Sequence, residues 1–336
     1  MTNGAGGNPP QEQLNRLYSL YDARDFAGTE NFCRNLLEAY PDAAEVSKML
    51  GVVLAAQGKS EDASSVFLNT IQMNPAYPDV YLDYGLFLNS QGQKEEALQN
   101  FRKAVELDPD WGDAHNNLGV MLQNQEMHEA ALPHLESAVK LNPNQPAAFF
   151  NYANSLKATD KKEEALANYN QAVKLHPAFP LAFNNRGNLL ESMGKQEDAR
   201  RSYSRAIELD RNYARAYSNR GIVERELGNY DGALRDFVRA LEIEPWQADN
   251  PNQDSNFQFR MHMNLGDIYL YFKEYEKALA AYDLAQEIEP DNKDVLGFKS
   301  NALAGLGNIE EGLRLKQECY GLISFDTEKG VSINHG

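Results

Sequence analysis

Residues 78–111 read PDVYLDYGLFLNSQGQKEEALQNFRKAVELDPDW, and this stretch decides the fold. Tyr81, Tyr84, Gly85 and Leu88 fall three or four residues apart, the spacing of one helical face. Pro78 suits the first position of that helix, where a missing N–H costs nothing, and Gly92 stands where it must end. Ala97, Phe101 and Ala104 repeat the helical spacing after an acidic start at Glu95–Glu96, where negative charge suits the helix dipole. Pro109 then ends the second helix. The stretch therefore predicts two helices, a first (A) and a second (B), folded back on each other.

The same pattern recurs along the chain. Pro41, Pro75, Pro109, Pro143 and Pro177 stand 34 residues apart; Arg211 takes the next place and Pro245 the one after. Ala63, Ala97, Ala131, Ala165, Ala199 and Ala233 keep this period, as do Gly51, Gly85, Gly119, Gly187 and Gly221, with Ala153 in the remaining slot. A large series, Phe67, Phe101, Leu135, Tyr169, Tyr203 and Phe237, completes the set. After Pro245 the phase slips by 11 residues and resumes with Gly266, Ala278, Tyr282 and Pro290. Small residues on both helices predict close approach of the A and B backbones, and the large residue is expected between one repeat and the next.

These residue types at this period resemble the tetratricopeptide pattern, W-x2-L-G-x2-Y, then A-x3-F, then P. The resemblance covers nearly the whole chain and implies an all-α fold, a right-handed superhelical solenoid of antiparallel helix pairs. About nine repeats are expected, at 10–43, 44–77, 78–111, 112–145, 146–179, 180–213, 214–247, 259–292 and 293–326, after a flexible leader at 1–9 and before a tail at 327–336. The outer two are degenerate, with Leu17 and Thr29, or Ser300 and Gly312, in the small slots, as expected of caps that lack a neighbour. Residues 248–258 are polar turn formers and read as an inserted loop; Leu322–Ile333 alternates around a turn at Asp326–Gly330, the signature of a hairpin.

In this superfamily helix A lines the concave groove. The sixth position of successive repeats carries Asp83, Asn117, Asn151, Asn185, Asn219 and Asn264, although asparagine is a mediocre helix former and packing demands no amide there. The series resembles the asparagine ladder of O-linked N-acetylglucosamine transferases and importin-like solenoids, which implies hydrogen bonding to the main chain of an extended peptide. An amide both donates and accepts, so it can read any peptide group. Asn154 and Asn188 at the ninth position join the expected site, and Arg215 and Arg260 at helix A starts suggest a carboxylate docking point. The superfamily's carboxylate clamp is incomplete: Asn151, Asn185 and Arg215 fit, but Ala147 and Asn219 take two places that need Lys and Arg.

No catalytic constellation stands beside this row. The six histidines form no i,i+4 pair or metal-like cluster, and His115 and His262 occupy an aromatic slot. No G-x-S-x-G or C-x-x-C occurs, and Gly4–Gly7 precedes no strand. Cys33 and Cys319, far apart, read as structural thiols. No enzyme activity, cofactor or metal is therefore expected. A net charge of −17 argues against nucleic acid and anionic membrane surfaces, since phosphate binding needs Lys and Arg. Mean hydropathy is −0.59, no apolar run approaches the ~18 residues of a membrane span, and residues 1–10 carry no secretory pattern, so a cytoplasmic setting is expected. The expected partner is a protein or linear peptide. The alternatives are a recognition arm for a transferase on another chain, or a scaffold that self-associates through its solenoid ends.

Overall fold

The computed structural model describes residues 7–245, 254–320, 323–326 and 330–333. The chain divides into two compact units, Met1–Leu175 and His176–Gly336. In the first unit the helices are α1 (Gln11–Asp22), α2 (Phe26–Ala39), α3 (Ala44–Ala56), α4 (Ser60–Met73), α5 (Pro78–Ser90), α6 (Lys94–Leu107), α7 (Gly112–Asn124), α8 (His128–Leu141), α9 (Pro146–Ala158) and α10 (Lys162–Leu175). In the second they are α11 (Pro180–Ser192), α12 (Gln196–Leu209), α13 (Ala214–Glu226), α14 (Tyr230–Ile243), α15 (Ser255–Tyr271), α16 (Tyr275–Ile288), α17 (Lys293–Gly305) and α18 (Ile309–Tyr320). Odd-numbered helices are the A helices and even-numbered ones the B helices. The fold is the all-α stack of helix pairs that the period predicts, extended by a short hairpin of β1 (Ile323–Asp326) and β2 (Gly330–Ile333).

Each turn from A to B rests on one backbone conformation. The residue after the A helix C-cap has positive φ, from 57° at Arg24 to 87° at Gly307. Glycine fills this place at Gly58, Gly92, Gly194, Gly228 and Gly307, while Glu126, Asp160 and Lys273 adopt it at a steric cost. Pro78, Pro146 and Pro180 begin their A helices, as their missing N–H predicts.

The glycine series has a more specific role than backbone approach. A Cβ on Gly85 would lie 2.7 Å from the Phe101 ring, one on Gly187 2.5 Å from Tyr203, and one on Gly266 2.3 Å from Tyr282. The large B residue therefore seats its ring on the glycine of its own pair. It also reaches the next pair, as expected: Phe67 lies 5.4 Å from Tyr84 and 5.8 Å from Phe87, centroid to centroid. Tyr169, Tyr203 and Tyr282 are fully buried in this way, as are Phe67, Phe101 and Phe237.

Of the expected insertion, Ser255–Gln258 is helical, because Asp254 caps α15 by accepting from the Phe257 N–H at 3.0 Å. That corrects the expected loop; its part at 248–253 lies outside the described residues. The hairpin is antiparallel with Ile323 opposite Ile333 and Phe325 opposite Val331, the alternation visible in the sequence. Of the expected leader at 1–9, residues 1–6 lie outside the described residues, and of the expected tail at 327–336, residues 327–329 and 334–336 do. No helix among the described residues is long and apolar enough to cross a membrane.

Candidate functional site

The expected site residues share the polar face of the A helices, and the core helps to hold them there. Tyr169 on α10 donates from its hydroxyl to Asn154 Oδ1 at 2.6 Å; Tyr203 on α12 donates to Asn188 Oδ1 at 2.8 Å; Tyr282 on α16 donates to Asp267 Oδ1 at 2.8 Å. Each tyrosine ring is buried between its helices while its oxygen emerges beside the ninth position of helix A. Where that position is apolar, at Val52, Leu86, Val120 and Ile222, the B residue is Phe67, Phe101, Leu135 or Phe237. A hydroxyl is present where a polar side chain needs fixing, and absent where it would be left unpaired. This pairing of the two series was present in the sequence but is not apparent from either series alone.

In the first unit the sixth-position row runs through Asp83, Asn117 and Asn151, all half-buried. Lys48 pairs with Asp83 at 3.3 Å, and burial raises the Asp83 carboxyl above its ordinary value against that pull. Asn117 donates to the Asp113 carbonyl of its own helix at 2.9 Å, and Asn151 reaches back from α9 to Asn116 Oδ1 on α7 at 3.0 Å. In the second unit Asn219 makes the equivalent step, donating to Asn184 Oδ1 at 3.1 Å and to Asn188 Oδ1 at 2.9 Å. Asn185 accepts a weaker 3.5 Å contact from Asn184, and Asn264 accepts from Arg225 Nη1 at 2.9 Å. Asn151 and Asn219 thus brace against amides of the preceding A helix. Bracing leaves capacity unused, since an amide offers two donors and two acceptor positions. Among the described residues, the hydrogen bonds end at the donor side of Asn117, Asn151 and Asn219, leaving each Oδ1 without a donor.

The two arginines proposed from sequence part company. Arg215 pairs with Asp254 at 2.8 Å, because the capping residue of α15 lies beside it, so a carboxylate ligand would have to compete with that exposed ion pair. Arg260, on α15, is exposed and borders two hollows of about 420 and 380 Å³. Glu191, which borders both hollows, lies 2.6 Å from the Tyr203 hydroxyl and shares its single proton with Asn188; burial raises the Glu191 carboxyl, against a downward pull from Arg260.

The remaining titratable groups hold no metal site: no cluster of three or more candidate ligands occurs among the described residues. His115 and His134 meet at Nδ1–Nδ1 3.1 Å, a contact across one helix pair that their sequence separation hides. The His115 Nε2 lies 3.0 Å from the Pro109 carbonyl, so Nε2 carries the proton there and the His134 Nδ1 donates. Cys33 is a buried free thiol, its pKa pushed up to about 12 by burial, as suits a packing residue rather than a nucleophile.

Helix pairs in a regular register, most seating a large B-helix residue on a small A-helix residue and carrying polar side chains along the A face, define a helical-repeat protein. The chain belongs to the tetratricopeptide repeat superfamily. Family models described as TPR repeat match residues 85–126, 153–194 and 187–224, and models described as tetratricopeptide repeat match 112–145, 214–246, 259–292 and 14–78. Among solved structures, the chain is similar to pilF of Pseudomonas aeruginosa, with a TM-score of 0.57 and 20% identity, covering 68% of this chain and 98% of that one. It is also similar to a chain of the APC/C hetero-tetramer Cut9–Hcn1, with a TM-score of 0.56 and 18% identity over 87% of this chain and 55% of that one. At these identities the likeness is one of fold. No curated protein sequence matches the chain significantly.

Proposed function

We propose that this protein is a non-catalytic scaffold that holds an extended segment of another polypeptide along its A-helix face. The observation that carries the proposal is the row of amides on the A helices, in which Asn117, Asn151 and Asn219 are held through their donor sides and keep an acceptor oxygen for a ligand. Fixed polar groups bind with less ordering cost than mobile ones. At about 1 kcal/mol net per hydrogen bond, five such contacts supply roughly 5 kcal/mol before ordering costs, enough for sequence-tolerant binding of moderate strength. The sixth-position residues Asn117, Asn151, Asn185, Asn219 and Asn264 contact the peptide main chain in this reading, and Asn154 and Asn188 orient them. No cofactor takes part. The setting is cytoplasmic, and neither nucleic acid nor membrane is a partner, in keeping with a net charge of −17.

The test is to replace Asn151, Asn185 and Asn219 together with alanine. Helical circular dichroism should persist, while affinity for a captured peptide falls at least tenfold. Unchanged affinity would refute the role given to the amides.

A further inference from the structure

The arginines of the second unit are not equivalent. Arg215 is held by Asp254, Arg220 by a bidentate pair with Asp236 at 2.7 Å on both arms, and Arg225 by Asn264 and Asp267. Among the described residues no hydrogen bond or ion pair engages the exposed Arg260 guanidinium, although it stands in an acidic protein. It also sits where two hollows meet, sharing Glu191 and Ile222 between them.

The two hollows differ in chemistry. The larger mixes apolar side chains, Ile222, Phe259, Met263 and Phe298, contributed by α13, α15 and α17, with a polar wall that includes Asp267 and Asp294. Phe298 packs one side of its ring against Tyr282, with centroids 5.7 Å apart, and remains 36% exposed. The smaller is polar, with Asn188, Ser192, Gln196 and Asn219 in its wall. A solvent-facing guanidinium, close enough to pull down the neighbouring Glu191 carboxyl and set beside a partly apolar hollow and an amide-lined one, offers a ligand three kinds of contact. A hydrogen-bonded carboxylate on Arg260 is the strong contact, since charge-assisted bonds are about twice as strong as neutral ones. Arg260 lines both hollows, so a ligand chain that uses both runs past it.

We propose that Arg260 and the adjoining hollows select an internal peptide segment in which a single Asp or Glu stands next to a bulky apolar residue. This rests on the reading of the A face as a peptide-binding surface and adds the side-chain chemistry of its ligand. The carboxylate seats on Arg260, the apolar side chain enters the Ile222–Phe298 hollow, and the polar side of the segment runs over Asn188 and Asn219. Polyacidic runs are disfavoured, because Glu191 borders both hollows, Glu226 the polar one, and Asp267 and Asp294 the partly apolar one.

The experiment is a selection from a random dodecapeptide display library on the full chain, followed by titration of synthetic versions of the recovered peptides. Recovered sequences should pair one acidic residue with Phe, Leu, Met or Trp. Arg260→Gln should weaken them at least tenfold, and changing the peptide's acid to its amide should cost the same on the wild type and nothing further on the variant. Phe298→Ala should weaken only peptides that carry the bulky residue. Versions with free and amidated C-termini should bind alike; dependence on the free terminus would overturn the internal-segment assignment. Basic or uncharged consensus peptides, or unchanged binding to Arg260→Gln, would overturn the proposal. If such peptides still depend on Asn151, Asn185 and Asn219, the broader function stands without it; recovery of no peptide defeats both.

Discussion

His262 is the clearest test of the packing account. It occupies the slot filled by Tyr81 and His115, but its ring is buried with neither nitrogen partnered among the described residues. Tyr81 and His115 bond to the carbonyl six residues earlier, Pro75 or Pro109, in the turn before their helix. For His262 that position is Asn256, which lies within the early start of α15 and so has a carbonyl directed along the helix. Replacing His262 with Phe, the residue at the corresponding Phe149 and Phe183, removes the unpaired nitrogens. An unsatisfied buried polar group costs about 1–3 kcal/mol, and allowing for the slightly larger ring the variant should gain about 1–2 kcal/mol at pH 7.5. The gain should grow on acidification. Burial holds the His262 pKa below its ordinary value, so the unfolded chain takes up a proton as pH falls past about 6.5 while the folded one does not. Wild-type stability from this group is present above that pH and is lost as pH falls through the lowered value. Phe has no such loss, so the gap widens by up to about 1.4 kcal/mol per pH unit below 6.5. Urea unfolding followed by helical circular dichroism at pH 7.5 and 5.5 measures both. A variant no more stable than wild type, or a gap independent of pH, would refute this reasoning.

Other consequences concern the turns and the tyrosine struts. Asp160→Gly and Glu126→Gly should each stabilise by about 1 kcal/mol, because both residues hold a left-handed conformation, whereas Gly228→Ala should cost about as much; thermal melts decide. Tyr203→Phe should destabilise by about 1–2 kcal/mol, since Asn188 and Glu191 both lose its hydroxyl, and should weaken captured peptide as well. The same change is already present at Phe237, opposite the apolar Ile222, so tolerance there and loss at Tyr203 would separate orientation of the amides from simple packing.

Most of the fold was legible because the repeat states it many times. One glycine opposite one aromatic is weak; Gly85–Phe101, Gly187–Tyr203 and Gly266–Tyr282 in register leave little choice of partner. The degenerate ends were legible as helices for the same reason. The extension of α15 was not, because Ser255–Gln258 have turn-forming neighbours and only Asp254, read as a cap, signals helix. At the site, the sequence placed the amides on one face but could not show their mutual bonds. Asn151 meets Asn116 and Asn219 meets Asn184 only after two A helices pack at a fixed offset. Likewise Arg215 and Arg260 look alike in sequence, and the difference between them is an aspartate that arrives from elsewhere in the chain.

Which side of the helix pairs meets the ligand can be read by photo-cross-linking with peptides that the wild-type chain binds. A photoreactive side chain at Leu86 or Leu181, exposed on A helices, should capture the peptide, and one at Leu68 or Leu284, exposed on B helices, should not. Capture confined to the B-helix positions would contradict the assignment of the ligand to the amide row.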